Sequence, residues 1–127
     1  RRSGAPVEWL GHVEDMPAFY AELDLILLTS RNEGLPLVLV EAMAAGVPAA
    51  APPVGGAADL LEGGKGGVLA ASRMKEGLVA AAAGLLEDRG LLQAKGEEAR
   101  ERAAFFDLPR GAERHLSFYR DLVRTFP

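Results

Sequence analysis

Two carboxylates, Glu33 and Glu41, stand eight residues apart in a stretch, Thr29 to Pro48, that otherwise holds a single charged side chain, Arg31. An ionised carboxylate only accepts hydrogen bonds, and its two oxygens take two hydroxyl donors at once. A vicinal diol, on a ribose or a pyranose, is the natural partner. On this reading Glu33 takes sugar hydroxyls, and Glu41, two helical turns on, takes a ribose diol. Each acid also has a plainer reading. Glu33 can be a solvated acid favoured by the positive end of a helix, and Glu41 can sit in a salt bridge or at a partly exposed position. Between them Gly34 permits close backbone approach, and the N–H groups of Leu35 and Leu37 are free donors at a helix mouth suited to phosphate. Pro36 offers no donor. A simple tight turn accounts for Gly34 equally well.

The elements that must position these residues follow from local pattern. Leu25-Ile26-Leu27-Leu28 is a short apolar run of the buried-strand type. The helix after Gly34 has Pro36 at or near its first position and is stopped by Gly46 and Pro48. Its residues are nearly all apolar, which predicts burial on most sides and makes Glu41 an acid in apolar surroundings. Upstream, Pro6 to Leu10 reads as a strand ending at Gly11-His12. Asp15 caps a helix over Met16 to Glu22, with Pro17 in its first turn. Downstream come a weak alanine strand, Val47 to Ala51, a loop at Pro52 to Gly56, a short helix over Ala57 to Glu62, a flexible glycine turn, Gly63 to Gly67, and a strand at Val68-Leu69. The last third is helical, over Met74 to Leu86, Leu91 to Ala104, and a final amphipathic segment with Ala112, Leu116, Tyr119, Leu122, Val123 and Phe126 on one stripe. Strands alternating with helices make this an α/β chain with a Rossmann-like parallel sheet flanked by helices and a helical carboxyl-terminal third.

In such sheets ligands bind beyond the carboxyl ends of the strands. Gly11-His12-Val13, Ser30 to Pro36 and Val54-Gly55-Gly56 all fall there. His12 can hydrogen-bond a base or be solvated, and Gly55-Gly56 can admit a ligand or merely turn the chain. Composition narrows the classes. A net charge of −4 argues against a nucleic-acid partner. Without cysteine there is no disulfide or thiolate metal site, which fits a reducing, cytoplasmic setting. The two histidines lack metal-ligand spacing. No G-x-G-x-x-G fingerprint, Walker loop or nucleophile elbow is present.

Three motifs together resemble the retaining glycosyltransferases of group 1, or family 4. They are Trp9-Leu10-Gly11-His12-Val13, the frame Glu33-Gly34-x-Pro36 with Glu41-Ala42-Met43-Ala44-x-Gly46, and Val54-Gly55-Gly56. The resemblance spans essentially the whole chain. It implies the carboxyl-terminal, donor-binding domain of a GT-B enzyme, residues 1–127, with the acceptor domain and the first strands of the sheet outside the chain. By motif position Glu33, Gly34, Leu35, Pro36 and Leu37 would meet the donor sugar and diphosphate. Glu41 would hold the ribose, and Gly11, His12 and Val13 would border the base. The donor is a nucleotide-diphosphate sugar. The acceptor is a sugar, lipid or other small molecule held by the missing domain, and no cofactor or metal is required.

Departures from the family shape further expectations. Ala57-Ala58-Asp59 stands where the family commonly has a Pro-Glu pair, so Asp59 is at most a loose counterpart. The Arg and Lys that neutralise the diphosphate would lie before Arg1. The isolated chain is therefore expected to be inactive and to bind donor weakly. Val7 to Leu10 would lie at an unprotected sheet edge, open to a dimer or a strand swap. In a parent protein the domain would be cytoplasmic and could be membrane-peripheral. The alternative is a non-catalytic nucleotide- or sugar-binding module, or an interaction module; an epimerase of similar architecture would want different acids and a histidine in the cleft.

Overall fold

A computed structural model describes residue 4 and residues 6–126. Three short parallel strands, β1 (Ile26–Leu27), β2 (Ala49–Ala51) and β3 (Gly67–Leu69), lie side by side in that order. Ile26 pairs with Ala49, and Ala49 with Gly67. Among the described residues there are six α-helices: α1 (Met16–Ala21), α2 (Leu37–Ala44), α3 (Gly56–Leu60), α4 (Lys75–Glu87) and α5 (Arg89–Ala103) pack around the sheet, and α6 (Leu108–Thr125) extends from the turn at Ala104–Phe106. The α/β class, the parallel sheet and the helical last third are those expected from the sequence.

The alanine strand is the centre of the sheet, and its composition has a packing reason. Ala49, Ala50 and Ala51 are all fully buried. Side chains alternate across a strand. Ala49 and Ala51 join the cluster of Leu39, Met43, Leu60 and Ala99, whereas Ala50 meets Leu85 and Ala82 of α4 on the other face. Helices cover both sides closely, and larger β-branched residues would push them away. Glycines extend the same logic between helices. A Cβ on Gly96 of α5 would meet the carbonyl oxygen of Gly46 at 2.6 Å. One on Gly66 would meet Ala99 Cα and Met43 Cε, both at 2.7 Å.

Helix ends are closed by specific groups. Asp15 Oδ1 accepts from Ala18 N at 3.0 Å, the cap expected for α1. Asp88 Oδ1 accepts from Leu91 N at 2.9 Å and starts α5 two residues earlier than the pattern suggested. The carbonyls that end α2 and α3 are taken by arginines of α5. Arg100 Nη2 donates to Ala45 O at 3.1 Å, and Arg102 donates to Asp59 O at 2.7 Å and Leu60 O at 3.1 Å. These cations satisfy orphan acceptors at the negative ends of two helices.

Three expectations are corrected. Pro6 to Leu10 forms no strand; Val7, Trp9 and Leu10 are exposed, Trp9 at 92%. Its apolar residues suit a strand, but a strand exists only against a neighbour, and among the described residues none pairs with this segment. The sheet edge on that side is therefore β1, not Val7 to Leu10. The glycine turn is not a free hinge. Lys95 Nζ donates to Gly64 O at 2.6 Å, and Gly66 N donates to Glu98 Oε2 at 3.2 Å, so α5 holds it. Finally, α2 is not buried on most sides. Leu39, Ala42 and Met43 face the core, while Leu37, Val38 and Glu41 are exposed.

Candidate functional site

The last correction changes the case for Glu41. Among the described residues no charged side chain is buried, so Glu41 is not an acid stranded in an apolar interior. Its carboxylate faces outward from α2 and meets one partner among the described residues. Tyr20, on the last turn of α1, donates its hydroxyl to Glu41 Oε2 at 2.9 Å. The Tyr20 ring is buried against Ala42 and Val47. Burial, then the hydrogen bond to Glu41 and its negative charge, push the phenol up to about 12. At neutral pH Tyr20 is therefore a fixed neutral donor, and among the described residues no other group hydrogen-bonds Glu41.

Around this pair lies an open cleft of about 760 Å³. Trp9, Gly11, His12 and Val13 form one wall, and Tyr20, Val38 and Glu41 the other. Residues assigned to a base and a residue assigned to a ribose thus line one cavity, although 28 positions of chain separate Val13 from Glu41. Gly11 adopts φ +66°, a conformation that favours glycine and turns the chain into α1. His12 is exposed on the rim. Asp59 lies on α3 away from this cleft, and His115, on α6, donates from Nδ1 to Gly111 O at 2.8 Å and takes no part. Among the described residues no group of three or more His, Cys, Asp or Glu could hold a metal ion.

The helix mouth differs in detail from the expectation. Pro36 is the N-cap and Leu37 the first helical residue. Leu39 N and Val40 N bond to Pro36 O at 3.0 and 3.4 Å, which leaves Leu37 and Val38 as the first-turn donors without an intrahelical acceptor. Leu35 lies before the cap, in the loop. Glu33 is half-buried in that loop and does not line the Glu41 cleft.

The Gly55-Gly56 pair has a role that was not among its two expected ones. Gly56 N donates to Gly34 O at 2.7 Å, and a Cβ on Gly55 would overlap the carbonyl oxygen of Glu33. Gly55 has φ +45°. The close backbone approach is therefore between two loops: the segment after β2 pins the segment that carries Glu33.

Comparison with known proteins gives this arrangement a context. The profile described as "Glycosyl transferases group 1" matches residues 1–88. The chain belongs to the group 1 glycosyltransferases. It is 40% identical over 102 residues to the exopolysaccharide phosphotransferase SCO2592 of Streptomyces coelicolor, covering 79% of this chain and 11% of that protein. It is 34% identical over 115 residues to the D-inositol 3-phosphate glycosyltransferase of Corynebacterium kroppenstedtii, covering 90% of this chain and 25% of that protein. The sucrose-phosphate synthase structure from Thermosynechococcus elongatus superposes with a TM-score of 0.74 at 29% identity, over 84% of this chain and 27% of that one. The chain thus spans a quarter or less of the curated relatives named here, and its fold is that of a GT-B carboxyl-terminal domain.

Sequence reasoning within this glycosyltransferase chain missed Tyr20 as a site residue. Tyr20 falls inside the helix expected over Met16 to Glu22, where it was given no role of its own. The signal was its hydroxyl: a buried tyrosine needs a hydrogen-bond partner where phenylalanine would not.

Proposed function

We propose that this chain is the donor-binding part of a retaining glycosyltransferase that moves a sugar from a nucleotide-diphosphate sugar to an acceptor. The observation that carries the reading is the shared cleft, in which Gly11 to Val13 and the Tyr20–Glu41 pair line one cavity beside the mouth of α2.

In this reading the base lies along Gly11, His12 and Val13, against the exposed apolar surfaces of Trp9 and Val38. Glu41 accepts from the two ribose hydroxyls through Oε1 and the free lone pair of Oε2, while Tyr20 holds the carboxylate in place. The first-turn N–H groups of α2, at the positive end of its dipole, face the diphosphate. Glu33 and the Gly34-Leu35-Pro36-Leu37 backbone, held by Gly55-Gly56, meet the donor sugar. The bond between the anomeric carbon and the diphosphate oxygen breaks, and the acceptor oxygen bonds to the same face. The acceptor proton passes to the departing diphosphate. Stabilising that leaving charge is the main electrostatic task, and the binding acids contribute by positioning. The reading requires no metal, and it places the acceptor and the full activity with chain beyond these residues.

Titration calorimetry with a panel of nucleotide-diphosphate sugars tests this, using the chain and a longer protein that contains it. One donor is expected to bind both, more weakly to the chain alone. Glu41→Gln should weaken it by about tenfold, the size of one charge-assisted hydrogen bond. If no donor binds the longer protein, or if one binds and Glu41→Gln leaves its affinity unchanged, the reading fails. A product of inverted anomeric configuration would sink the retaining assignment while leaving transfer intact.

A further inference from the structure

A second cleft, of about 450 Å³, opens at the carboxyl ends of the same strands and shares no lining residue with the Glu41 cavity. It is bounded by Thr29, Ser30 and Arg31 after β1, by the loop after β2, and by Arg73 and Lys75 at the start of α4. Among the described residues three cationic side chains line it and no carboxylate does. That concentration sits in a chain whose net charge is −4.

One of the three cations is held in place by the backbone. Arg73 Nε donates to Pro53 O at 3.1 Å, which holds the guanidinium over the loop after β2; among the described residues its two terminal nitrogens make no hydrogen bond. Among the described residues Arg31 has no ion-pair partner. Lys75 pairs with Glu76 at 3.7 Å, and that pair is largely exposed and so worth little. The hydroxyls of Thr29 and Ser30 add donors on one side. On the other, the first-turn N–H groups of α4 at Lys75 and Glu76 lack intrahelical acceptors. Every polar side chain that lines the cleft is a donor or can act as one. Like charges gathered in a concave site repel one another unless an anion sits among them. Two guanidinium groups and an ammonium suit a tetrahedral oxyanion, which offers several acceptor oxygens at once.

We propose that the Arg31–Arg73–Lys75 cleft is an anion subsite, separate from the donor cavity, that takes a phosphomonoester. The same chemistry fits inorganic phosphate and the phosphate of a phosphorylated sugar. The cleft has room beyond the phosphate for an attached group, and its position beside the Glu33 loop puts that group next to the donor end of the domain.

The test is an amide-shift titration of the full, nitrogen-15-labelled chain at constant ionic strength, with inorganic phosphate, a hexose phosphate and the unphosphorylated hexose in separate arms. Both phosphates should move the amides of Ser30, Arg31, Lys75 and Glu76 and saturate; the hexose should not. Tighter binding of the hexose phosphate assigns the site to a phosphorylated sugar, and equal binding assigns it to free phosphate. The double variant Arg31→Met with Lys75→Met should weaken phosphate by about tenfold or more, as expected for lost charge-assisted contacts. Both side chains are exposed, so the fold should survive, and the same spectra report whether it does. Arg31→Lys with Lys75→Arg should restore most of the binding. Glu41→Gln should leave phosphate affinity unchanged, so the two clefts can fail independently. Shifts confined to Leu37 and Val38, an unsaturable response, or equal affinity in the methionine variant would overturn the proposal.

Discussion

The last two long helices invert what their sequences suggest. Helix α6 carries the cleaner amphipathic stripe, yet none of its described residues is buried; Leu116, Tyr119, Val123 and Phe126 lie open. Helix α5 is rich in charge, with Glu97, Arg100, Glu101 and Arg102 close together, yet it packs against α2, and Gly96, Ala99 and Ala103 are buried. Amphipathicity records that a helix needs a partner surface; it does not say that the partner lies in the same stretch of chain. α6 touches the rest of the fold chiefly at its start, where Arg114 stacks 4.5 Å from the centre of the Phe105 ring and donates to Phe105 O at 2.9 Å. α5 succeeds with little apolar surface because its buried residues are small. They let it approach the turn after α2 closely enough for Arg100 and Arg102 to reach backbone carbonyls.

Three tests, using four substitutions, would break or sharpen this contrast. The largest effect is expected from Gly96→Val on α5. Its side chain would have to displace the Gly46 carbonyl, so chemical denaturation should show a loss of about 2–3 kcal/mol. An unchanged midpoint would mean that α5 does not depend on that close approach. Next comes pH. On α5, the Glu98 carboxyl is held below its ordinary value, first by the Lys95 ammonium donating at 2.8 Å and then by Gly66 N–H. A carboxyl with a lowered folded pKa contributes stability that is complete above about pH 4.5 and is lost as pH falls through the folded value. Glu98→Gln should therefore narrow the gap between unfolding midpoints at pH 7 and at strongly acid pH; an equal gap in the variant would refute the linkage. The smallest effect belongs to α6. Leu122→Ser and Val123→Ser should each shift stability by no more than about 0.5 kcal/mol, as for exposed positions. A larger loss, or a midpoint that rises with protein concentration, would show that another copy covers the stripe.

The candidate site divides along the same line between local signal and long-range placement. Glu33, Gly34, Pro36 and Glu41 stand out in the sequence because charge, glycine and proline interrupt an apolar run. The grounds first given for Glu41, an acid in apolar surroundings, did not survive, since α2 presents it outward. What replaced them is the Tyr20 hydroxyl and the wall formed by Gly11 to Val13. Neither could be read from residues 29–48, because both come from chain that precedes β1 and returns only in the fold.

By itself the sequence determined the α/β alternation, the glycine and proline signals that place the α2 mouth, the Asp15 cap of α1 and the family. These rest on local periodicity, caps and motif spacing, which need no knowledge of distant neighbours. Only the tertiary structure decided that an all-alanine strand is the centre of the sheet, that Gly55-Gly56 clamps the Glu33 loop, and that the segment before Gly11 forms no strand. It also decided that Glu41 has Tyr20 as its partner. Each of these depends on which surfaces meet across long stretches of chain, and residue types constrain that only once the fold has brought the surfaces together.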